Sequence, residues 1–365
     1  MDNSIKNGKE NDLISECKNA ALKISKKSLD EYEIYGFSAS HNEIELYKGD
    51  VENLSFSDTK GIGFRIFKNK KMGYSYTSNF DENAIDDCIA RAVENAEISD
   101  ADEFNYLPDP SEFVISSSTV DRDLLYSKDF GSFSTEDKIA ITKELEKISL
   151  KKDCRVSGIN NLTYSDMSSL TLIMNSRGLF DHYRTTSAFT YLSVISKGGT
   201  EEISTGDYFG YARDLSGFNI ENIAENAVMR SVTLLGARKI KSVTADLLID
   251  PFVGAQFLQF ISDTVSADAV QKGKSLFKDK LNKPVFSISL NIFDDGTLKN
   301  GLSSKPFDGE GVPKGRTAVF ENGNLATFLY NSYTARKDGR SSTGNAVRAS
   351  YKSPPQTGVS NFYIE

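Results

Sequence analysis

Between Tyr32 and Phe56 apolar and polar residues alternate: Tyr32-Glu33-Ile34-Tyr35, Ile44-Glu45-Leu46-Tyr47, then Val51 to Phe56. A period of two sends successive side chains to opposite faces of a strand, so this stretch is written for a sheet and not for a helix. Gly36, His41-Asn42 and Gly49-Asp50 punctuate the runs and predict a meander of short strands. Gly61–Phe67 and Met72–Thr77 predict a hairpin closed by the polar turn Lys68-Asn69-Lys70-Lys71. On either side the period changes. Leu13, Ile14, Cys17, Ala20, Ala21 and Ile24 recur at helical spacing within Leu13–Leu29, and Asp81 precedes Ala84, Ile85, Cys88, Ile89, Ala92 and Val93. The first hundred or so residues therefore read as a helix–strands–helix unit.

Residues 101–133 are rich in Asp, Ser and Pro and read as an ordered linker. Ser134-Thr135-Glu136-Asp137 opens a helix that runs to about Leu150. Arg155–Arg213 reads as long antiparallel strands, with Tyr208–Tyr211 closing the run, and Asn219–Leu235 as a helix. Ala245–Ile249 predicts a buried strand, and Pro251 starts a helix at its favoured first position. Ala255–Ile261, interrupted by Gln256 and Gln259, reads as buried helix. Past Pro284 the pattern is β-rich with glycine turns. The fold class is α+β: an N-terminal α+β domain with an antiparallel sheet over 1–125, a central α/β region with long antiparallel strands over 126–240, and a β-rich C-terminal domain over 241–365.

Composition narrows the function. A net charge of −8 and no long Lys/Arg block argue against nucleic acid, which calls for a basic stripe. Cys17, Cys88 and Cys154 are odd in number and widely spaced, so no disulfide framework is expected and a reducing cytoplasm is the natural compartment. Met1–Asp12 is polar with no apolar core, so no signal peptide is expected. No run of about 18 apolar residues predicts a membrane span.

Residues 291–348 hold the densest chemistry: Asn-Ile-Phe-Asp-Asp-Gly from Asn291, Pro-Phe-Asp-Gly-Glu-Gly-Val-Pro from Pro306, and Ser-Thr-Gly-Asn-Ala-Val-Arg from Ser342. Asp294, Asp295, Asp308 and Glu310 read either as a cavity wall for a cation or peptide amine, or as turn chemistry, since Asp before Gly is what tight turns prefer. Arg336, Arg340 and Arg348 either pair with these carboxylates or hold a peptide carboxylate. The two histidines, His41 in a turn and His182 near a strand start, cannot form a two-histidine helical zinc motif, though both remain available to a composite site with carboxylates. Gly273-Lys274-Ser275 lacks the earlier glycine of a phosphate loop, because Asp268 occupies that place. Gly61-Ile62-Gly63 and Gly309-Glu310-Gly311 read as close-packed or turn glycines.

Taken in order, a set of these segments resembles the TldD/PmbA family, historically called modulator of DNA gyrase, and its PmbA (TldE) branch in particular. The pieces are Gly61-Ile62-Gly63-Phe64-Arg65, Gly73-Tyr74-Ser75-Tyr76-Thr77, Ala92-Val93-Glu94-Asn95-Ala96, Leu107-Pro108, Ala269–Ser275, Phe307–Pro313, Ser332–Arg336 and Ser342–Ala346. The resemblance implies an N-terminal α+β domain, a β-rich C-terminal domain, and a dimer enclosing a central cavity. The TldD branch is implied to be a zinc metallopeptidase with H-E-x-x-x-H on a helix, and the PmbA/TldE branch its partner, together acting on small or unfolded peptides. Carrying that motif over from the Gly273-x-Ser275 anchor places its slots at Leu258, Gln259 and Asp263. Leucine cannot ligate zinc, and glutamine has no carboxylate for general-base work.

The sequence departs from the family at Gly309, where a second acidic residue is usual, and stops at Glu365, where members normally continue; a truncated C-terminal domain is therefore expected. The leading expectation is a non-catalytic PmbA/TldE-type subunit without its own cofactor, with zinc in a TldD-type partner. Asp308, Glu310, Arg336, Asn345 and Arg348 are the expected peptide contacts. The alternatives are a stand-alone peptide-binding homodimer and a peptidase built on His41 or His182. Gyrase modulation finds no support in an acidic chain without a DNA-reading motif, and neither nucleic acid nor membrane is an expected partner.

Overall fold

The computed structural model describes residues 3–113, 120–199 and 202–365. Helix α1 (Asn3–Ile24) leads into strands β1 (Glu31–Tyr47), β2 (Asp50–Lys68) and β3 (Lys71–Thr77), then helix α2 (Glu82–Ile98). Beyond the linker come α3 (Thr135–Lys152), β4 (Val156–Asn175), β5 (Phe180–Gly198), β6 (Glu202–Ala212) and α4 (Ile220–Thr233). All six strands lie in one antiparallel sheet of order β3-β2-β1-β4-β5-β6. The segments 1–125 and 126–240 are thus joined by continuous pairing of β1 with β4, from Glu33↔Asn175 to Leu46↔Leu162. Positions 114–119 of the expected linker, and Met1 and Asp2, lie outside the described residues.

The expected meander of short strands is corrected. β1 runs unbroken through Gly36 and His41-Asn42, because partners on both sides satisfy its backbone along its length, and that outweighs local turn preference. Gly36 serves packing: a Cβ there would lie 2.7 Å from Cys17 Sγ on α1. The true reversals are Lys48-Gly49 and Asn69-Lys70, all at positive φ, the geometry two-residue hairpin loops require. The second is the hairpin read from the sequence. Helix α3 begins, as read, at Ser134, whose side chain and Asp137 form a reciprocal capping box.

The two sheet faces are used differently. On one, α1 and α2 bury Ile34, Ile62, Phe64 and Leu172, while α3 and α4 bury Ile44, Leu46, Leu162 and Leu192 nearer the other end. The opposite face presents Tyr35, Ile173 and Tyr183 to Phe307 and Tyr351 of the C-terminal segment.

That segment holds α5 (Pro251–Thr264), α6 (Ala267–Gln271), β7 (Ile292–Asp295), β8 (Arg316–Glu321), β9 (Asn324–Leu325), α7 (Ser332–Lys337), β10 (Ala346–Val347), β11 (Gln356–Thr357) and β12 (Phe362–Ile364). A sheet of order β12-β7-β8-β9 carries its core, in which Phe277, Phe286 and Phe320 pack edge to face. Two expectations fail here. Ala245–Ile249 is irregular and exposed, with Leu248 98% accessible, because no described strand pairs with it. Residues 255–261 are helical, but Phe257 and Phe260 face outward and only the Leu258 and Ile261 side packs on the core.

Candidate functional site

The charged residues that alternation places on the open sheet face meet the acid- and glycine-rich segment. Glu33 and Arg65 are cross-strand neighbours on β1 and β2. Gly61 and Gly63 share that face, and a Cβ at Gly61 would lie 2.1 Å from the Tyr351 ring, so bare backbone is what lets the C-terminal segment settle here. Tyr74 from β3 fixes the approach by donating its hydroxyl to the Tyr351 carbonyl at 2.8 Å.

At the contact Arg65 bridges two buried carboxylates, Glu33 at 2.7 Å and Glu310 at 2.8 Å. Burial pulls the guanidinium pKa down, and the charges of Glu33 and Glu310 more than reverse this, so Arg65 is held firmly protonated. Burial likewise opposes ionisation of Glu310, but Arg65 and the Ser332 N–H, donating at 2.8 Å, leave its pKa below the ordinary value. Arg348 pairs with the other oxygen of Glu33 and donates to the carbonyls of Gly309 at 2.7 Å and Ser353 at 3.3 Å. The Nε of Arg65 and the Oγ of Ser332 are buried without a partner.

Asp308 organises the turn of its own loop. Its Oδ1 accepts from Glu310 N–H (2.8 Å) and Val312 N–H (3.0 Å), and its Oδ2 from Ala346 N–H (2.9 Å). Burial, then the neighbouring Glu310, pushes its pKa up to about 7 against the pull of Lys314 and those amides. Asp294 accepts from Asn345 at 2.6 Å and from Ser360 N–H at 2.6 Å. Asp295 caps Thr297 at 2.7 Å. These carboxylates are spent on backbone and amide donors, and among the described residues no group of three or more His, Cys, Asp or Glu is placed to hold a metal. Arg336 is a clamp: it donates to the carbonyls of Phe104 (3.1 Å), Tyr106 (2.7 Å) and Leu107 (2.5 Å) and lies 3.5 Å over the Tyr106 ring. Asn345 also donates to the Gly358 carbonyl and accepts from Thr343.

Of the five expected peptide contacts, Asp308 and Arg348 line a cavity of about 100 Å³ together with Tyr35, Thr171, Tyr183, Lys305 and Lys314. Glu310, Arg336 and Asn345 do not line it; their polar atoms are taken up inside the protein. Sequence reading passed over Glu33, Arg65, Lys305 and Lys314. For Arg65 a signal was present, a cation at a strand position between Phe64 and Ile66 where both neighbours are core. For the lysines nothing separated them from surface residues.

The histidines do not meet. His41 lies mid-strand opposite Met167, not in a turn, and His182 lies opposite Leu172 on the other side of β4. Five residues of offset along a strand put them roughly 16 Å apart in that direction alone. The family's zinc motif does not fit either. Leu258 packs on the C-terminal core, and Gln259 and Asp263 are exposed on α5, so the slots offer one carboxylate and no nitrogen ligand. Ser275 caps a turn by donating to the Thr264 carbonyl at 2.6 Å and accepting from Phe277 N–H. No helix among the described residues is long and apolar enough to cross a membrane.

Three domain descriptions of one family match this chain in order: PmbA/TldA metallopeptidase domain 1 at residues 32–96, the central domain at 128–235, and the C-terminal domain at 242–365. Among curated relatives, a Metalloprotease PmbA homolog of Buchnera aphidicola subsp. Acyrthosiphon pisum is 25% identical over 91% of this chain and 73% of its own length. Metalloprotease PmbA of Escherichia coli O157:H7 is 23% identical over 92% and 73%. Among solved structures, TldE from Thermococcus kodakarensis superposes with a TM-score of 0.81 at 20% identity, covering 96% of this chain and 77% of that one.

Proposed function

This chain belongs to the PmbA/TldD metallopeptidase family, and we propose that it is the non-catalytic, PmbA/TldE-type subunit of a peptidase whose zinc sits in a TldD-type H-E-x-x-x-H partner. The observation that carries this reading is α5. Its motif slots hold Leu258, Gln259 and Asp263, and the first of these is committed to the apolar core. A hydrolytic zinc site needs three protein ligands and an open position, and a general base beside it. This helix supplies none of that set beyond a single exposed carboxylate.

In this role the chain shapes the substrate cavity for small or unfolded peptides. Asp308 and Arg348, which line the cavity, contact the peptide, while Glu310, Arg336 and Asn345 hold the wall in place from behind. The odd number and wide spacing of Cys17, Cys88 and Cys154 support a reducing cytoplasm as the chain's compartment.

Two measurements on the purified chain test the proposal. Elemental mass spectrometry after dialysis is expected to find zinc far below one equivalent, and peptide hydrolysis is expected only when an H-E-x-x-x-H partner is added. Stoichiometric zinc with chelator-sensitive hydrolysis by the chain alone would overturn it. Peptide binding with no hydrolysis beside any such partner would favour a stand-alone peptide-binding homodimer.

A further inference from the structure

The cavity between the sheet and the C-terminal segment is lined by three cations, which are not equally served. Arg348 is neutralised by Glu33. Lys314 is buried and donates to the Gly344 carbonyl at 3.1 Å and to Ser360 Oγ at 2.6 Å, both neutral acceptors. Lys305 is exposed at the rim, and among the described residues neither lysine has an ion-pair partner. The carboxylate that shares the cavity, Asp308, turns its oxygens to three backbone amides instead. Burial lowers the Lys314 pKa against the attraction of Asp308 and Asp294, and repulsion from Lys305 adds to the lowering. With Arg348 taken by Glu33, two ammonium groups still face this cavity against the single carboxylate in its wall, an excess of positive charge that suits an anion.

Size and wall chemistry narrow the choice. At about 100 Å³ the cavity is well under the roughly 300–1,000 Å³ of ordinary small-molecule pockets, which suits a carboxylate and its α-carbon and is too small for a nucleotide. Tyr35 and Tyr183, side by side around Thr171, add phenolic donors. Phe307 and Val359 give the apolar side. We propose that this cavity holds the C-terminal carboxylate of a peptide between Lys305 and Lys314. The inference rests on the peptide-handling role above and sharpens it: the subunit reads a chain end, not a chain interior.

The test is isothermal titration calorimetry on the full chain without any partner. The probes are N-acetyl-dialanine with a free carboxylate, its C-terminal amide, and inorganic phosphate. The acid is expected to bind and the amide to bind at least about tenfold more weakly, the loss of a charge-assisted contact. Lys305→Ala, at an exposed position where folding is safe, is expected to weaken the acid about tenfold, Lys305→Glu to abolish binding, and Lys305→Arg to keep it. Equal binding of acid and amide, no binding of either, an acid affinity indifferent to Lys305→Glu, or phosphate binding tighter than the peptide acid would each overturn the proposal. Partner-dependent hydrolysis that persists beside such a result would leave the subunit role standing and remove this inference alone.

Discussion

Arg65 carries its charge into a buried site, and its neighbours are arranged around that fact. Removing it leaves Glu310 buried with only the Ser332 amide for company, while Glu33 keeps Arg348. Breaking a buried ion pair by deleting one partner costs about 3–5 kcal/mol, and Arg65→Met is expected to fall in that range by urea denaturation. Adding Glu310→Met should recover part of the loss, because the orphaned charge goes too; a double variant no more stable than the single one would contradict this account. Asp308 gives a pH signature of a different kind. Its folded pKa of about 7 lies above the ordinary 3.8, so its stabilising share is complete below about pH 4 and is lost as pH rises toward 7. Glu310 is shifted the other way, so its share is lost only as pH falls below the ordinary carboxylate range, and the two windows do not overlap. Asp294 is raised like Asp308 and adds to the same slope. Thermal melts from pH 5 to 8 should show stability declining with pH, more shallowly in Asp308→Asn; an unchanged slope would rule out Asp308 as its source. The acidic cluster was legible because charge and glycine at such density stand out, whereas Arg336 and Arg348, read as its possible ion-pair partners, bond the 104–107 backbone and Glu33 instead. The cluster's actual partner was not legible, since Arg65 and Glu310 stand 245 positions apart and no local pattern links them.

At the scale of elements, helices were easier to read than strands. A helix is decided by its own spacing and caps, and Ser134, Asp81 and Pro251 mark starts that the structure keeps. A strand is decided by its neighbours. β1 looked like several short strands because turn-prone residues interrupt it, yet pairing on both sides makes it one. Ala245–Ile249 looked like a strand and is not, for want of a described partner. Gly73 is a case where the sequence shows a glycine and only packing shows why. A Cβ there would sit 1.9 Å from the Ala92 carbonyl oxygen, because α2 lies directly on β3. Gly73→Ala must push the helix off the strand, and overpacking of this kind costs about 1–3 kcal/mol. Gly158→Ala, where nothing lies within 4 Å of the added carbon, should be near neutral. Comparing their midpoints in denaturant checks the reading, and equal effects would count against close helix–strand contact.

The molecule as a whole is three layers: helices, a sheet, and a C-terminal segment seated on the sheet's second face. That seating is polar as well as apolar, and each fastening reaches a different part of the N-terminal half. Arg348 reaches β1, Glu310 reaches β2, Tyr333 donates to Asp102 at 2.6 Å, and Arg336 grips the 104–107 backbone. The cavity lies within this seam, so its shape depends on the fastenings even where they do not line it. The clamp can be cut without orphaning a buried carboxylate, since Arg336 donates only to carbonyls. Those carbonyls belong to a linker also tied at Leu107, whose N–H donates to Glu31 at 2.6 Å, and at Asp102 and Pro108 on either side. Arg336→Ala is therefore expected to raise amide hydrogen exchange at Leu107 by about tenfold or more, given what charge-assisted hydrogen bonds contribute. The paired amides of β1 and β4 should keep their protection, because the sheet closes on its own partners. Exchange that rises across the sheet as well would mean that the C-terminal segment and the sheet open as one cooperative unit, and that the seam is as central to stability as the helices behind it.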